Sequence, residues 1–132
     1  MSHHILVVED EPDINKTVSY NLANEGFHPV SALNLQEADD HLSSNNISLI
    51  ILDLMLPDGS GLDFCKTLKS SNIYKNIPVI IVTAKGDEVD KVVGFELGAD
   101  DYVTKPFSVR ELMLRIKACL LYTSPSPRDS LS

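Results

Sequence analysis

Leu49-Ile-Ile-Leu-Asp53 is an uninterrupted apolar run ended by a carboxylate, and its reading decides the fold. A half-exposed strand alternates apolar and polar residues. A short continuous run fits a strand covered on both faces, the condition of parallel sheets in α/β proteins. Ile5-Leu-Val-Val8 and Val79-Ile-Ile-Val82 read the same way. Phe27–Ala32 and the shorter Tyr102-Val103 complete five strand candidates. Helical patterns lie between them. Ile14, Val18 and Leu22 recur at i, i+4, i+8 before Gly26, a left-handed helix end. Leu35, Ala38 and Leu42 follow Asn34, an N-cap candidate with Glu37 three residues on. Phe64, Cys65 and Leu68 form a face after Gly61, and Val89, Val92, Val93 and Leu97 form another before Gly98. Leu112, Ile116 and Leu120 follow the capping box Ser108-x-x-Glu111. Strand-helix alternation repeated five times predicts an α/β fold, a doubly wound five-stranded parallel sheet with helices on both faces.

Composition sets the outer bounds. The 132 residues are room for one domain, and 43% hydrophobic with 23% charged residues predicts a packed core. Eleven Lys+Arg against nineteen Asp+Glu give a net charge of −8. That excludes direct nucleic-acid or anionic-membrane binding by this segment, which needs surplus Lys and Arg. No apolar run approaches the roughly 18 residues that span a bilayer. The start, Met1-Ser-His-His, lacks a basic leader. Cys65 and Cys119 are far apart without CxxC spacing, so neither a disulfide framework nor a zinc site is indicated. A cytosolic domain is the expectation. Tyr122-Thr-Ser-Pro-Ser-Pro-Arg-Asp-Ser-Leu-Ser132 has no apolar period and reads as a flexible tail, a linker start or a sequence foreign to the domain.

In such a sheet the functional crevice lies beyond the carboxyl ends of the strands. The first strand delivers Glu9, Asp10 and Glu11 there, and the third delivers Asp53. The fourth delivers Thr83 and Ala84, and the fifth Thr104, Lys105 and Pro106. Clustered carboxylates repel unless a cation joins them, and hard oxygen ligands suit Mg²⁺. Glu11 and Asp13 also sit where the dipole of the first helix favours acid, so they read equally well as helix-end residues. Asp53 does not, because it interrupts the apolar stretch from Leu49 to Leu56, where an unpaired carboxylate is costly. A carboxylate beside Mg²⁺ can attack phosphorus to give an acyl phosphate. Lys105 is placed to offset charge on the phosphoryl group, and Thr83 to hydrogen-bond it. A lone loop lysine is more often solvated and a lone strand-end threonine more often bonds nearby backbone, but Pro106 fixes the backbone at Lys105.

Four stretches carry a resemblance: Ile5-Leu-Val-Val-Glu-Asp-Glu-Pro12, Leu52-Asp-Leu-Met-Leu-Pro-Asp-Gly-Ser-Gly61, Val82-Thr-Ala84 and Gly98-Ala-Asp-Asp-Tyr-Val-Thr-Lys-Pro-Phe107. Together, in this order and spacing over roughly residues 4 to 121, the set resembles the receiver domain of two-component response regulators. The resemblance implies the flavodoxin-like (βα)5 sandwich, with residues 1–121 as receiver and 122–132 as tail. It makes Asp53 the phospho-acceptor and a histidine kinase the phosphodonor. It assigns Mg²⁺ to Glu9, Asp10, Asp53 and the backbone carbonyl of Met55. Thr83 and Tyr102 match the switch pair, the hydroxyl moving toward phosphate and the ring rotating inward. Lys105 matches the phosphate-binding lysine, with a cis Lys105–Pro106 bond. Ala84 leaves access to the acceptor, while Met55 and Lys85 occupy positions that tune dephosphorylation. Such a domain is a switch rather than a turnover enzyme.

Lys91, Asp100, Asp101, Arg110, Glu111, Arg115 and Lys117 resemble the charge set of the OmpR/PhoB winged-helix class. Receivers of that class dimerise when phosphorylated, through the face of the fourth helix, fifth strand and fifth helix. The analogy pairs Lys91 with Glu111, Asp100 with Lys117 and Asp101 with Arg115 across a two-fold axis, and implies a DNA-binding domain beyond this segment. A solvated face whose ion pairs contribute about 0–1 kcal/mol each is the plain alternative. Two other functions fit an α/β sheet less well. A haloacid-dehalogenase-type enzyme wants a second Asp two residues after its nucleophile, where this chain has Met55. A flavodoxin-like cofactor carrier wants a Ser/Thr/Gly-rich phosphate loop after the first strand, where this chain has Glu9-Asp-Glu11.

Overall fold

The computed structural model describes residues 3–84, 96 and 98–122. Five strands form one sheet: β1 (His4–Val8), β2 (His28–Ala32), β3 (Ile47–Asp53), β4 (Val79–Ala84) and β5 (Asp101–Lys105). Their order is β2-β1-β3-β4-β5, and every neighbouring pair is parallel. This is the doubly wound arrangement the apolar runs predict. The strands begin or end up to two residues away from the predicted limits, because flanking polar residues such as His4 and Asp101 join the ladder without joining the core.

The continuous runs have a direct cause. Successive side chains point to opposite faces, and both faces are covered. Ile5, Val7, Leu49, Ile51, Ile80, Val82 and Val103 meet Val18 and Leu22 of α1 (Pro12–Asn24) and Leu112 and Ile116 of the C-terminal helix (Val109–Tyr122). Leu6, Val8, Ile50, Leu52, Val79 and Ile81 meet Ala38 and Leu42 of α2 (Leu35–Ser44) and Cys65 and Leu68 of α3 (Gly61–Ser70). Truncating one of these fully buried leucines or isoleucines to Ala costs about 2–5 kcal/mol.

The helix ends follow the sequence in most places. Asn34 Oδ1 accepts from Glu37 N at 2.8 Å, and the Glu37 carboxylate returns to Leu33 N at 2.8 Å. Gly26 has φ +90° just after α1, where a side chain would be strained. Ser108 Oγ accepts from Glu111 N at 3.3 Å, but the Glu111 carboxylate turns to Arg115, so only half of that capping box forms.

Three details differ from the sequence reading. Asn15, not Ile14, is the fully inward residue in the first turns of α1. Residues Met55–Leu56 pair with Gly59–Ser60 in a small antiparallel ribbon, and Ser60 then caps α3. The C-terminal helix continues through Tyr122, the first residue of the predicted tail. The predicted fourth helix, Lys85 and Lys91 fall outside the described residues, as do residues 123–132. No described helix is long and apolar enough to cross a membrane.

Candidate functional site

The carboxyl ends of the central strands β1, β3 and β4 and of the edge strand β5 bring the predicted residues together. Val8, Leu52 and Val82 are the apolar residues that immediately precede Glu9, Asp53 and Thr83, so these three polar residues stand together at one rim of the sheet. Asp53 is in register with Val82, and Thr83 is in register with Thr104. Glu9, Asp53 and Thr83 are nevertheless buried, at 4%, 4% and 2% exposure. Among the described residues, Glu9, Asp10 and Asp53 form an acidic group whose ligand oxygens all lie within 4.8 Å of one another. Three carboxylates this close suit a divalent cation with oxygen ligands.

Lys105 holds this group together. Its Nζ lies 3.0 Å from Glu9 Oε1, 3.0 Å from Asp53 Oδ2 and 3.4 Å from Glu11 Oε1. The Lys105–Pro106 bond is cis. Each buried carboxylate has a second partner. Met55 N donates to Asp53 Oδ1 at 3.1 Å, and Glu11 N donates to Glu9 Oε2 at 3.0 Å. Glu11 stands at the N-cap position of α1 but caps nothing with its side chain. Of the two roles its position allowed, the structure gives it the ion pair.

The electrostatics match the burial. Burial pushes the Glu9 carboxyl up to about 7, against the pull of Glu11 N–H and Lys105, and the neighbouring Asp53 charge adds to the rise. Burial also works against a charged Lys105. The hydrogen bonds and charges of Asp53 and Glu9 outweigh it, and the lysine ends above its ordinary value. The two thiols lie elsewhere. Cys65 is buried in the core, and burial raises Cys119 to about 11, so neither is a ready nucleophile.

Asn15 escapes a reading by residue type. From inside α1 its Nδ2 donates to the carbonyls of Glu9 (3.0 Å), Ala32 (3.2 Å) and Val7 (3.3 Å). Its Oδ1 accepts from Ser31 Oγ at 2.6 Å and Ser19 Oγ at 3.3 Å. It thereby fastens the turn that carries Glu9 and Asp10 to the end of β2. The available signal was its i, i+3, i+7 spacing with Val18 and Leu22, a polar residue on the apolar stripe.

Tyr102 is 7% exposed and packs with the α2–α3 side of the core, so its ring points inward here. The charged residues at the other side of β5 pair within the chain. Arg115 Nη1 donates to both Asp101 carboxylate oxygens, at 2.8 and 2.9 Å, and Arg115 Nη2 reaches Glu111 at 2.9 Å. Asp100 bonds Lys69 and the backbone N–H of Val79, and Lys117 bonds Glu25. Among the described residues, Asp100, Asp101, Glu111, Arg115 and Lys117 thus have partners inside one molecule.

Residues 5–117 match the response regulator receiver domain family. The chain belongs to this family. This receiver is 49% identical over 125 residues to the phosphate regulon transcriptional regulatory protein PhoB of Escherichia coli K12, covering 95% of this chain and 55% of that protein. The Pseudomonas aeruginosa protein of the same name is 42% identical over 126 residues, 96% of this chain and 55% of that protein. The chain therefore spans just over half the length of the curated relatives it matches. Among solved structures, the receiver of the TMAO respiratory system response regulator TorR superposes with a TM-score of 0.85 at 36% identity, covering 92% of this chain and 99% of that one. The beryllofluoride-activated NtrC4 receiver dimer does so with a TM-score of 0.84 at 34% identity, covering 92% and 98%.

Proposed function

We propose that this receiver takes a phosphoryl group from a histidine kinase onto Asp53, with Mg²⁺, and so switches its β5 and C-terminal-helix face toward dimerisation. The observation that carries the reading is Lys105 Nζ, 3.0 Å from both Glu9 and Asp53 at the open end of the sheet. A buried carboxylate held by a lysine and a backbone N–H is an oriented nucleophile. A carboxylate oxygen of Asp53 forms the new bond to phosphorus. The phosphorus–nitrogen bond of the donor phosphohistidine breaks, its electron pair staying on the imidazole, which takes a proton. The product is an aspartyl phosphate, and Lys105 and the Met55 N–H stabilise its oxygens by hydrogen bonds. Glu9, Asp10, Asp53 and the Met55 carbonyl would hold Mg²⁺, which when bound neutralises charge on the phosphoryl oxygens. Thr83 and Tyr102 form the proposed switch pair, and the domain assists its own modification without turning over a substrate.

The curated relatives are named as transcriptional regulatory proteins, and this chain corresponds to about half of them. We infer a cytoplasmic parent protein whose DNA-binding output domain lies outside this segment. The segment itself, at −8, contacts neither nucleic acid nor membrane. Incubation with acetyl phosphate and Mg²⁺ followed by intact-mass measurement tests the central step. The parent gains one phosphoryl group and Asp53→Asn gains none. A full gain in Asp53→Asn removes the assignment.

A further inference from the structure

The ribbon that follows Asp53 is fastened to a helix with which it shares no sheet. Asp58, at its tip, spreads both carboxylate oxygens over the start of α2. Oδ1 accepts from Leu35 N at 2.9 Å and Oδ2 from Gln36 N at 3.0 Å. The Leu35 N–H holds the Asp58 carboxyl below its ordinary value, with Gln36 N–H adding to the effect. Contact between the two elements is close. A Cβ on Gly59 would meet Leu35 Cδ1 at 2.8 Å. At the far end of the ribbon, a Cβ on Gly61 would meet the Asp53 carbonyl oxygen at 2.4 Å. The ribbon is therefore held against α2 at its tip and against the backbone of Asp53 at its base.

The helix also has a cap of its own. Asn34 already takes Glu37 N, and the Asn34 carbonyl takes Ala38 N. What the Asp58 clamp fixes is the other partner, the five residues running from Met55 to Gly59. Met55 lies at the base of that ribbon and presents its N–H to Asp53 Oδ1 at 3.1 Å. We propose that Asp58 is a positioning residue for the acceptor loop: it anchors the ribbon on α2 and so holds the Met55 backbone against Asp53. The metal-binding consequence rests on the Mg²⁺ reading above, while the anchoring itself does not.

The test separates anchoring from capping. NMR exchange rates of backbone amides are measured without metal for the parent, Asp58→Ala, Asp58→Asn and Asn34→Ala. In Asp58→Ala the amides of Leu35, Gln36 and Met55 all exchange faster, Met55 by about fivefold, the factor a typical cap hydrogen bond is worth. Asp58→Asn, which keeps one acceptor oxygen, restores part of the Met55 protection. Asn34→Ala speeds Glu37 and leaves Met55 unchanged. An unchanged Met55 amide in Asp58→Ala, or an equal change in Asn34→Ala, overturns the proposal. Mg²⁺ titration of the same proteins follows, with affinity in Asp58→Ala weaker by about tenfold, the lower end for loss of an outer-shell partner. A parent that binds no Mg²⁺ removes the metal reading, and the Met55 exchange rates still decide the role of Asp58.

Discussion

Lys105 Nζ stands 3.0 Å from Glu9 Oε1 and shares its charge with Asp53 Oδ2 at the same distance, so one ammonium serves two buried carboxylates. The acidic cluster is thus partly compensated by the protein itself, and a cation entering the site competes with that ammonium for the same oxygens. Replacing Lys105 by Gln separates the lysine's two effects. Phosphorylation by acetyl phosphate slows by about a hundredfold, the order of one lost stabilising donor. Mg²⁺ binds more tightly, because a repelling positive charge has left. Without metal, the variant loses about 3 kcal/mol of stability, the scale for stranding a buried charge. Rate, Mg²⁺ titration and thermal melts in EDTA measure all three. Weaker Mg²⁺ binding in Lys105→Gln would mean that the carboxylates do not form the cation site.

Glu9 makes metal-free stability depend on pH in an identifiable window. Burial raises its folded-state value from 4.5 to about 7, so between these limits the folded form binds a proton that the unfolded form has released. Its contribution to stability is fully present below about 4.5 and is lost as pH rises through about 7. Glu9→Gln does not titrate there. The variant's melting temperature relative to the parent, in EDTA, therefore climbs between those two values and is flat above them. The ion pair with Lys105 forms as Glu9 ionises, and its pull is already contained in the value of about 7. A difference that stays constant across the window removes the buried-carboxyl explanation.

Asn15 is a stability determinant with a consequence at the site. Asn15→Ala removes the side-chain hydrogen bonds to the carbonyls of Val7, Glu9 and Ala32 and from the hydroxyls of Ser19 and Ser31, all at one buried position. At roughly 0.5–1.5 kcal/mol for each net hydrogen bond, and with partial relaxation, the loss is about 3 kcal/mol. Asn15→Asp does worse, since a carboxylate cannot donate to the carbonyls of Val7, Glu9 and Ala32. Urea unfolding measures both. A loss under about 1 kcal/mol in Asn15→Ala would mean that solvent replaces the side chain without cost.

The sheet and its acidic rim were legible because each is written in contiguous residues. Leu49–Leu52 had to be covered on both faces, and a doubly covered parallel sheet exposes its carboxyl ends as a functional rim. The rim positions of Asp53, Lys105 and Glu9 follow from that arrangement alone. What the chain hid lay in long-range pairings of ordinary polar residues. Nothing local distinguishes Asp58 in a Pro-Asp-Gly turn from any turn aspartate, yet it reaches 23 residues back to Leu35. Asn15 shares the apolar stripe of Val18 and Leu22, but the partners that explain a polar residue there, at the end of β2, are far away in sequence. The charges near β5 show the same limit in reverse: their positions are plain in the sequence, while the pairing of Asp101 with Arg115 within one chain is a property of the fold.

That intrachain pair gives the dimer proposal a sharp test. Asp101→Arg and Arg115→Asp each place like charges where the parent has a pair at 2.8 Å. If phosphorylated receivers join through Asp101 of one copy and Arg115 of the other, neither variant forms its own dimer. An equimolar mixture, however, restores both cross-pairs. The arginine introduced in the first variant meets the aspartate introduced in the second, while the first variant's unaltered Arg115 meets the second's unaltered Asp101. If the residues work only within their own chain, mixing repairs nothing, since each chain keeps its own like-charge clash. We expect rescue in the mixture, read by sedimentation velocity after acetyl phosphate and Mg²⁺ treatment. The weight-average mass of the mixture should approach that of the phosphorylated parent, and the effect should weaken with salt as exposed pairs do. A parent that dimerises while the mixture stays monomeric would confine this pair to the single chain and move the interface elsewhere.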